Sequence, residues 1–174
     1  ENAKEMRMLN TSSMPEGLAV RPARPSDEPF LQSLYRSARP DLQWIEGEQE
    51  LIDCVIASQY QVQQAGAGAN YPNALHFVIE KAGDAIGAMI ADFGHNEVRL
   101  IYLAFIPLAR GRGYGKAVLQ GVQQAAQKVF SPVAVVVWRN NPQARRLYLE
   151  MGFRVEESHP MAERLAWYPG AALP

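Results

Sequence analysis

The stretch Arg110-Gly111-Arg112-Gly113-Tyr114-Gly115-Lys116 places three glycines and three cations within seven residues, directly before an apolar pattern of helical period. At a helix start about four backbone N–H groups lack internal partners and the helix dipole adds partial positive charge, so such a segment suits a phosphate. Glycines at 111, 113 and 115 leave no Cβ to hold an anion away from the backbone. The same composition also fits a glycine-rich surface turn. Two other phosphate motifs fail on spacing. A P-loop needs glycine five positions before the Gly115-Lys116 pair and Ser or Thr after it, where this chain has Arg110 and Ala117. A dinucleotide fingerprint needs glycine three positions after Gly113, where Lys116 stands, and an acidic residue near 131–135, where there is none.

Position decides whether the loop is a cradle or a turn. An apolar strand pattern, Val98 to Phe105, precedes it; Val118, Leu119, Val122, Ala125, Ala126 and Val129 recur at helical spacing behind it. A buried strand from Val133 to Trp138 follows, then a helix marked by Ala144, Leu147, Tyr148 and Met151. This is a βαβ unit, so the strands ending at Phe105 and Trp138 run parallel. If they are neighbours, the glycine loop and Asn140-Asn141-Pro142 border one crevice at their carboxyl ends.

Upstream, Leu18 to Arg21 reads as a strand, and Pro25-Ser26-Asp27-Glu28 as a helix start with Ser26 or Asp27 as cap and Phe30, Leu31, Leu34 and Tyr35 as its apolar face. A second helix is expected from about Glu46 to Ala65, with Leu51, Ile52, Val55, Ile56 and Val62 inward and Gly66-Ala67-Gly68 ending it. Leu75 to Glu80 and Ala85 to Phe93 flank the hairpin signal Lys81-Ala82-Gly83-Asp84, and Gly94-His95-Asn96 turns into Val98 to Phe105, a three-stranded antiparallel meander. Strands near Phe153 to Ser158 and Ala162 to Tyr168 complete a mixed α/β fold.

The chain has 174 residues, 17 Lys+Arg against 18 Asp+Glu, a formal charge of -1 and 48% hydrophobic content, which points to a globular domain rather than disorder. Near-neutral charge gives no global field for nucleic acid or an anionic membrane, so neither is an expected partner. No apolar run is long enough for a membrane helix. A single cysteine, Cys54, excludes an internal disulfide framework, fits a reducing cytoplasm and is expected to pack as a small hydrophobe. His76, His95 and His159 lack metal-ligand spacing. Residues 1–14 show no strand or helix period and read as a tail; residues 15–174 read as one domain.

Two ordered motifs give this pattern a family resemblance. Arg110-Gly111-Arg112-Gly113-Tyr114-Gly115 matches every defined position of the Q/R-x-x-G-x-G/A signature of the GNAT acyl-CoA N-acyltransferases, and Asn141, Ala144, Tyr148, Gly152 and Phe153 match a second element, N-x-x-A-x-x-x-Y-x-x-x-G-F. The resemblance implies the GNAT fold: a twisted mixed sheet of six to seven strands with a splayed parallel pair, flanked by about four helices. It implies acetyl-CoA as cosubstrate, bound by the segment Arg110, Gly111, Arg112, Gly113, Tyr114, Gly115 and Lys116 with its pyrophosphate on the backbone amides of Arg112, Gly113, Gly115 and Lys116, and with its pantetheine arm along Leu103 to Phe105. Leu103 N–H would face the thioester oxygen, Asn141 would bond the pantetheine side, and Tyr148 would give a proton to the departing thiolate. The implied activity is acetyl transfer to a small-molecule or peptide amine by direct attack, in a monomer or homodimer; the alternative is a noncatalytic acyl-CoA-binding or regulatory module of the same fold.

Some residues carry two readings. Ala144, Leu147, Tyr148 and Met151 also form an ordinary core-facing stripe, and Arg145 and Arg146 either meet the adenosine phosphate or are solvated. The amine must lose a proton before attack. Relatives that use a strand glutamate for this carry it eleven positions before the signature, where this chain has Arg99. Glu97, on the same strand face, is the substitute candidate, against a solvated hairpin glutamate. Glu46, Glu48 and Glu50 either bind a cationic acceptor or serve a helix dipole. Tyr102 is a further polar group on the strand, and Trp44, in a loop after Arg36, Arg39 and Asp41, either shapes acceptor specificity or caps the core.

Overall fold

The computed structural model describes residues 17–39 and 48–170, and of 67–69 the backbone alone. The expected tail, Asp41, Trp44 and Glu46 lie outside the described residues. In chain order the elements are β1 (Leu18–Pro22), a 3₁₀ turn (Pro25–Asp27), α1 (Glu28–Ala38), α2 (Gln49–Asn70), β2 (Leu75–Lys81), β3 (Asp84–Phe93), β4 (Val98–Phe105), α3 (Tyr114–Lys128), β5 (Val133–Trp138), α4 (Pro142–Glu150), β6 (Arg154–Ser158) and β7 (Ala162–Trp167). Among the described residues they form a seven-stranded sheet in the order β1-β2-β3-β4-β5-β7-β6. Every pairing is antiparallel except β4 with β5. Among the described residues no helix is long and apolar enough to cross a membrane.

The main core lies between the sheet and α3, whose Val118, Leu119, Val122, Ala125 and Ala126 are buried against Ile79, Met89, Val98, Leu100, Val133 and Val135. Alternation along β2, β3 and β4 sends the other set of side chains toward α1 and α2, where Tyr35, Ile56 and Tyr60 make a smaller cluster. The expected meander gains a fourth strand because β1 pairs with β2 along its whole length.

Three local expectations are corrected. Asp27 does not cap α1 with its side chain; its carboxylate accepts from Arg24 N at 2.7 Å and pairs with Arg21 at 2.8 Å, fixing the preceding 3₁₀ turn instead. The second helix does not stop at Gly66-Ala67-Gly68 but runs on to Asn70. An isolated glycine weakens a helix by about 1 kcal/mol without ending it, whereas Pro72 forces Tyr71 out of helical dihedrals. The inward stripe of that helix is narrower than its apolar content suggested. Ile56 and Tyr60 are buried, while Leu51, Val55 and Val62 are exposed, and so is Cys54, which is not a core residue.

Candidate active site

β4 and β5 pair only at Val98 with Val133, Arg99 with Ala134 and Leu100 with Val135, and then part. What the opening offers follows from register. Ile106 N–H donates to Ile86 O at 2.9 Å, which makes these two a hydrogen-bonded pair across β3 and β4. Such pairs alternate along an antiparallel ladder, so Ala88 with Ala104 is the next, and Gly87 with Phe105 and Met89 with Leu103 are not hydrogen-bonded. The N–H and C=O of Leu103 and Phe105 therefore turn away from β3 into the gap that β5 leaves. Arg110 Nε donates to the Phe105 carbonyl at 3.0 Å, while the Leu103 peptide groups have no partner among the described residues.

Gly87 makes this strand end possible. A Cβ there would lie 2.6 Å from Ala104 O and 2.8 Å from the Phe105 ring, so only glycine lets β3 approach so closely. Its signal was present, since glycine inside a strand pattern marks close backbone approach, but the partner is nonlocal.

After a 3₁₀ turn at Pro107–Ala109 the chain enters the glycine loop. Gly111 and Gly113 have φ of 72° and 84°, the left-handed region that glycine occupies without strain. Gly113 is the N-cap of α3, so no side chain caps that helix, and a Cβ at 111 or 113 would meet nothing within 4 Å. The start of α3 is thus an open concave row of backbone donors beside the splay. Gly115 differs: its added Cβ would rest 3.5 Å from Leu147 Cδ2, an ordinary contact that also fits alanine.

The basic side chains of the loop are largely engaged with the protein. Arg110 also donates to Ser37 O at 3.0 Å, tying the end of α1 to the loop, and Arg112 Nε donates to Leu108 O at 2.9 Å. The groups this leaves facing outward at the loop are backbone amides and the exposed Lys116. Tyr114 leans on Phe105 with ring centroids 6.4 Å apart, and Lys81 Nζ lies 4.7 Å from the Tyr114 ring centre.

Across the splay, Asn141 Oδ1 accepts from Ala144 N at 3.2 Å and caps α4, leaving its amide NH₂ to donate elsewhere. Tyr148 packs edge-on to Phe153 with centroids 5.3 Å apart, and burial pushes its hydroxyl up to about 12. Arg145 Nε is bonded to Glu163 at 2.7 Å, whereas Arg146 is exposed.

Glu97 stands at the opposite end of β4. Its carboxylate is held by Arg164 at 2.9 Å and Arg99 at 3.5 Å. Glu48 and Glu50 are exposed near the start of α2. The Arg99 guanidinium lies 5.5 Å from the Tyr71 ring centre. A bulge gives β4 one extra residue at Ile101, because Ile90 pairs with Tyr102 but Ala91 pairs with Leu100. It changes the parity of the strand: Leu103 and Phe105 pack on the α3 core, and Tyr102 faces α1 and α2.

No curated protein matches the chain by sequence. Solved structures match its architecture. An N-acetyltransferase, PaiA, of Thermoplasma acidophilum in complex with coenzyme A superposes with TM-score 0.64 at 18% identity, over 87% of this chain and 98% of that one. An acetyltransferase of Thermus thermophilus gives 0.63 at 21% identity over 87% and 96%. The ribosomal-protein-S18-alanine N-acetyltransferase of Escherichia coli gives 0.61 at 17% identity over 89% and 96%. The profile of the acetyltransferase (GNAT) family matches residues 31–153, the span from α1 through the glycine cradle to the start of β6. The chain therefore belongs to the GNAT acetyltransferase family, whose cosubstrate is acetyl-CoA.

Proposed function

We propose that this protein moves an acetyl group from acetyl-CoA to a primary amine by direct attack, with no covalent enzyme intermediate. The observation that carries the proposal is the pair of open Leu103 peptide groups in the β4–β5 splay, beside an uncapped, glycine-walled start of α3. Acetyl-CoA supplies an activated acyl thioester, and the chain's own groups do the rest. The backbone at Arg112, Gly113, Gly115 and Lys116 holds the diphosphate. The free Leu103 N–H donates to the thioester oxygen as charge builds on it, an interaction that strengthens in the transition state. The Asn141 amide steadies the pantetheine arm.

Tyr148 serves the departing sulfur. A phenol at about 12 keeps its proton at neutral pH, and full transfer to a thiolate of ordinary pKa, about 8.5, is uphill. Tyr148 thus stabilises the thiolate through a hydrogen bond while it keeps its own proton. Arg164 and Arg99 occupy the Glu97 carboxylate oxygens, which suits holding β7 to β4 better than receiving the amine proton.

The test is amine-dependent appearance of free CoA thiol across a panel of alkyl, aryl and peptide amines. Acetyl-CoA should also raise the melting temperature, since ligand at a hundredfold over Kd stabilises the folded state by about 2.7 kcal/mol. Stabilisation without turnover of any amine would select the noncatalytic binding module.

A further inference from the structure

If Glu97 is not the proton acceptor, the acceptor's proton needs another path, and Arg99 is itself a permanent cation. On the face of β4 that Arg99 occupies, the bulge at Ile101 brings up Tyr102, one residue before Leu103. The Tyr102 hydroxyl is buried and has no hydrogen-bond partner among the described residues, an arrangement that costs free energy unless water completes it. It borders a cavity of about 20 Å³ shared with Tyr35, Tyr60, Gln63, Gln64 and His76. One water needs on the order of 10–15 Å³ and two or more polar partners, so the cavity suits one water. Register aligns the two ends: His76 pairs with Ile90 on β3, and Ile90 pairs with Tyr102, putting His76 and Tyr102 in one row on one sheet face. Strands lie roughly 4.8 Å apart, so their backbones are separated by about 10 Å, a gap two side chains and a water can close.

We propose that a water held in this cavity by the Tyr102 hydroxyl takes the proton of the acceptor ammonium and passes it to His76. This rests on the acetyl-transfer reading above. An N–H bond of the ammonium breaks as an O–H bond forms on the water; another O–H bond of that water breaks as an N–H bond forms on the imidazole. The products are a neutral amine, ready to attack, and an imidazolium, which returns its proton to solvent before the next turnover. Tyr102 is a positioning residue in this scheme.

The surroundings of His76 fit the task. Burial lowers its pKa below the usual 6.5, with Glu28 on α1 opposing, so the ring is neutral and able to accept near pH 7. Burial, first, and then Glu28 keep the Tyr60 phenol protonated; burial pushes Tyr102 up to about 12, with Tyr35 raising and Arg110 lowering it. Neither of these two phenols ionises at neutral pH, and His76 is the one imidazole among the residues that line the cavity.

The experiment compares wild type, Tyr102→Phe, His76→Gln and the double variant with two acceptors, an alkylamine that is an ammonium at pH 7 and an alkoxyamine that is already neutral there. Near pH 7 each variant should slow acetylation of the alkylamine by about 100-fold or more, the usual range for assisted proton transfer. The loss should shrink as pH nears the pKa of that amine, and the double variant should be no slower than the worse single one. The alkoxyamine should be acetylated at the wild-type rate throughout, and acetyl-CoA affinity by calorimetry should not change. Equal losses with both acceptors, a loss that ignores pH, or no loss overturns the relay and leaves acetyl transfer intact. No amine-dependent CoA release by wild type overturns the acetyl-transfer reading, and the relay with it.

Discussion

Gly113 and Gly115 sit two residues apart in the same signature, yet the same alanine substitution should move them in opposite directions. At Gly113 the φ of 84° is the cause, since an added Cβ meets nothing within 4 Å. The left-handed conformation costs a non-glycine residue about 1–2 kcal/mol. At Gly115 the backbone is helical and the Cβ finds ordinary contacts with Leu147 and Phe105 at 3.5 and 3.8 Å. There alanine should gain up to about 1 kcal/mol from the reduced entropy of the unfolded chain. The difference of about 1–3 kcal/mol, at roughly 2–4 °C per kcal/mol for a domain of this size, separates the melting temperatures by about 2–12 °C. Scanning calorimetry of the two variants without ligand measures it. Titration with acetyl-CoA then asks a separate question, because the Gly113 Cβ projects into the open space assigned to the diphosphate. Gly113→Ala should bind more weakly than Gly115→Ala by more than their stability difference in the absence of ligand implies. A Gly113→Ala protein that melts with wild type would refute the strained start of α3, and one that binds acetyl-CoA normally would refute the cradle.

Other outcomes follow from the same geometry. Gly87→Ala cannot place its Cβ 2.6 Å from Ala104 O without moving the end of β4; such overpacking costs about 1–3 kcal/mol, and denaturant melts together with a raised KM for acetyl-CoA should report it. Tyr148→Phe removes a hydrogen bond to a developing anion, worth about 1.5–3 kcal/mol, and should lower kcat about 10- to 100-fold with acetyl-CoA affinity nearly unchanged. Glu97→Gln should leave the pH profile of acetyl transfer unchanged and register in thermal stability, because it disturbs the contacts to Arg164 and Arg99; a deficit confined to low pH would return the base role to Glu97. The Arg21 guanidinium holds the Asp27 carboxyl well below its usual 3.8. The contribution of that pair to stability is thus complete above the unfolded value and lost as pH falls through the lower folded one. Asp27→Asn should be less stable by about 2 kcal/mol at neutral pH and should flatten the acid limb of a stability profile.

Much of the geometry of the candidate site was legible in the sequence because it is local. A cradle made by one loop at one helix start writes its demands into adjacent residues, glycine at 111 and 113 where the backbone turns left-handed. The second motif is one helix with its own cap, Asn141 accepting from Ala144 N. The bounds of β4 and β5 were likewise readable, since each is a short apolar run cut off by turn residues. Tertiary structure alone decided what depends on partners distant in the chain. Alternation predicted that Glu97 and Arg99 share a face, but the clamp on Glu97 comes from Arg164, 67 residues away. Periodicity found the apolar residues of α2, but only packing against α1 chose Ile56 and Tyr60 over Leu51, Val55 and Val62. The bulge at Ile101 leaves no mark in the composition of β4; it comes from register against β3 and turns Tyr102 away from Leu103 toward His76. Local chemistry is set by neighbours in sequence, whereas register and burial are set by whichever surfaces meet when the sheet closes.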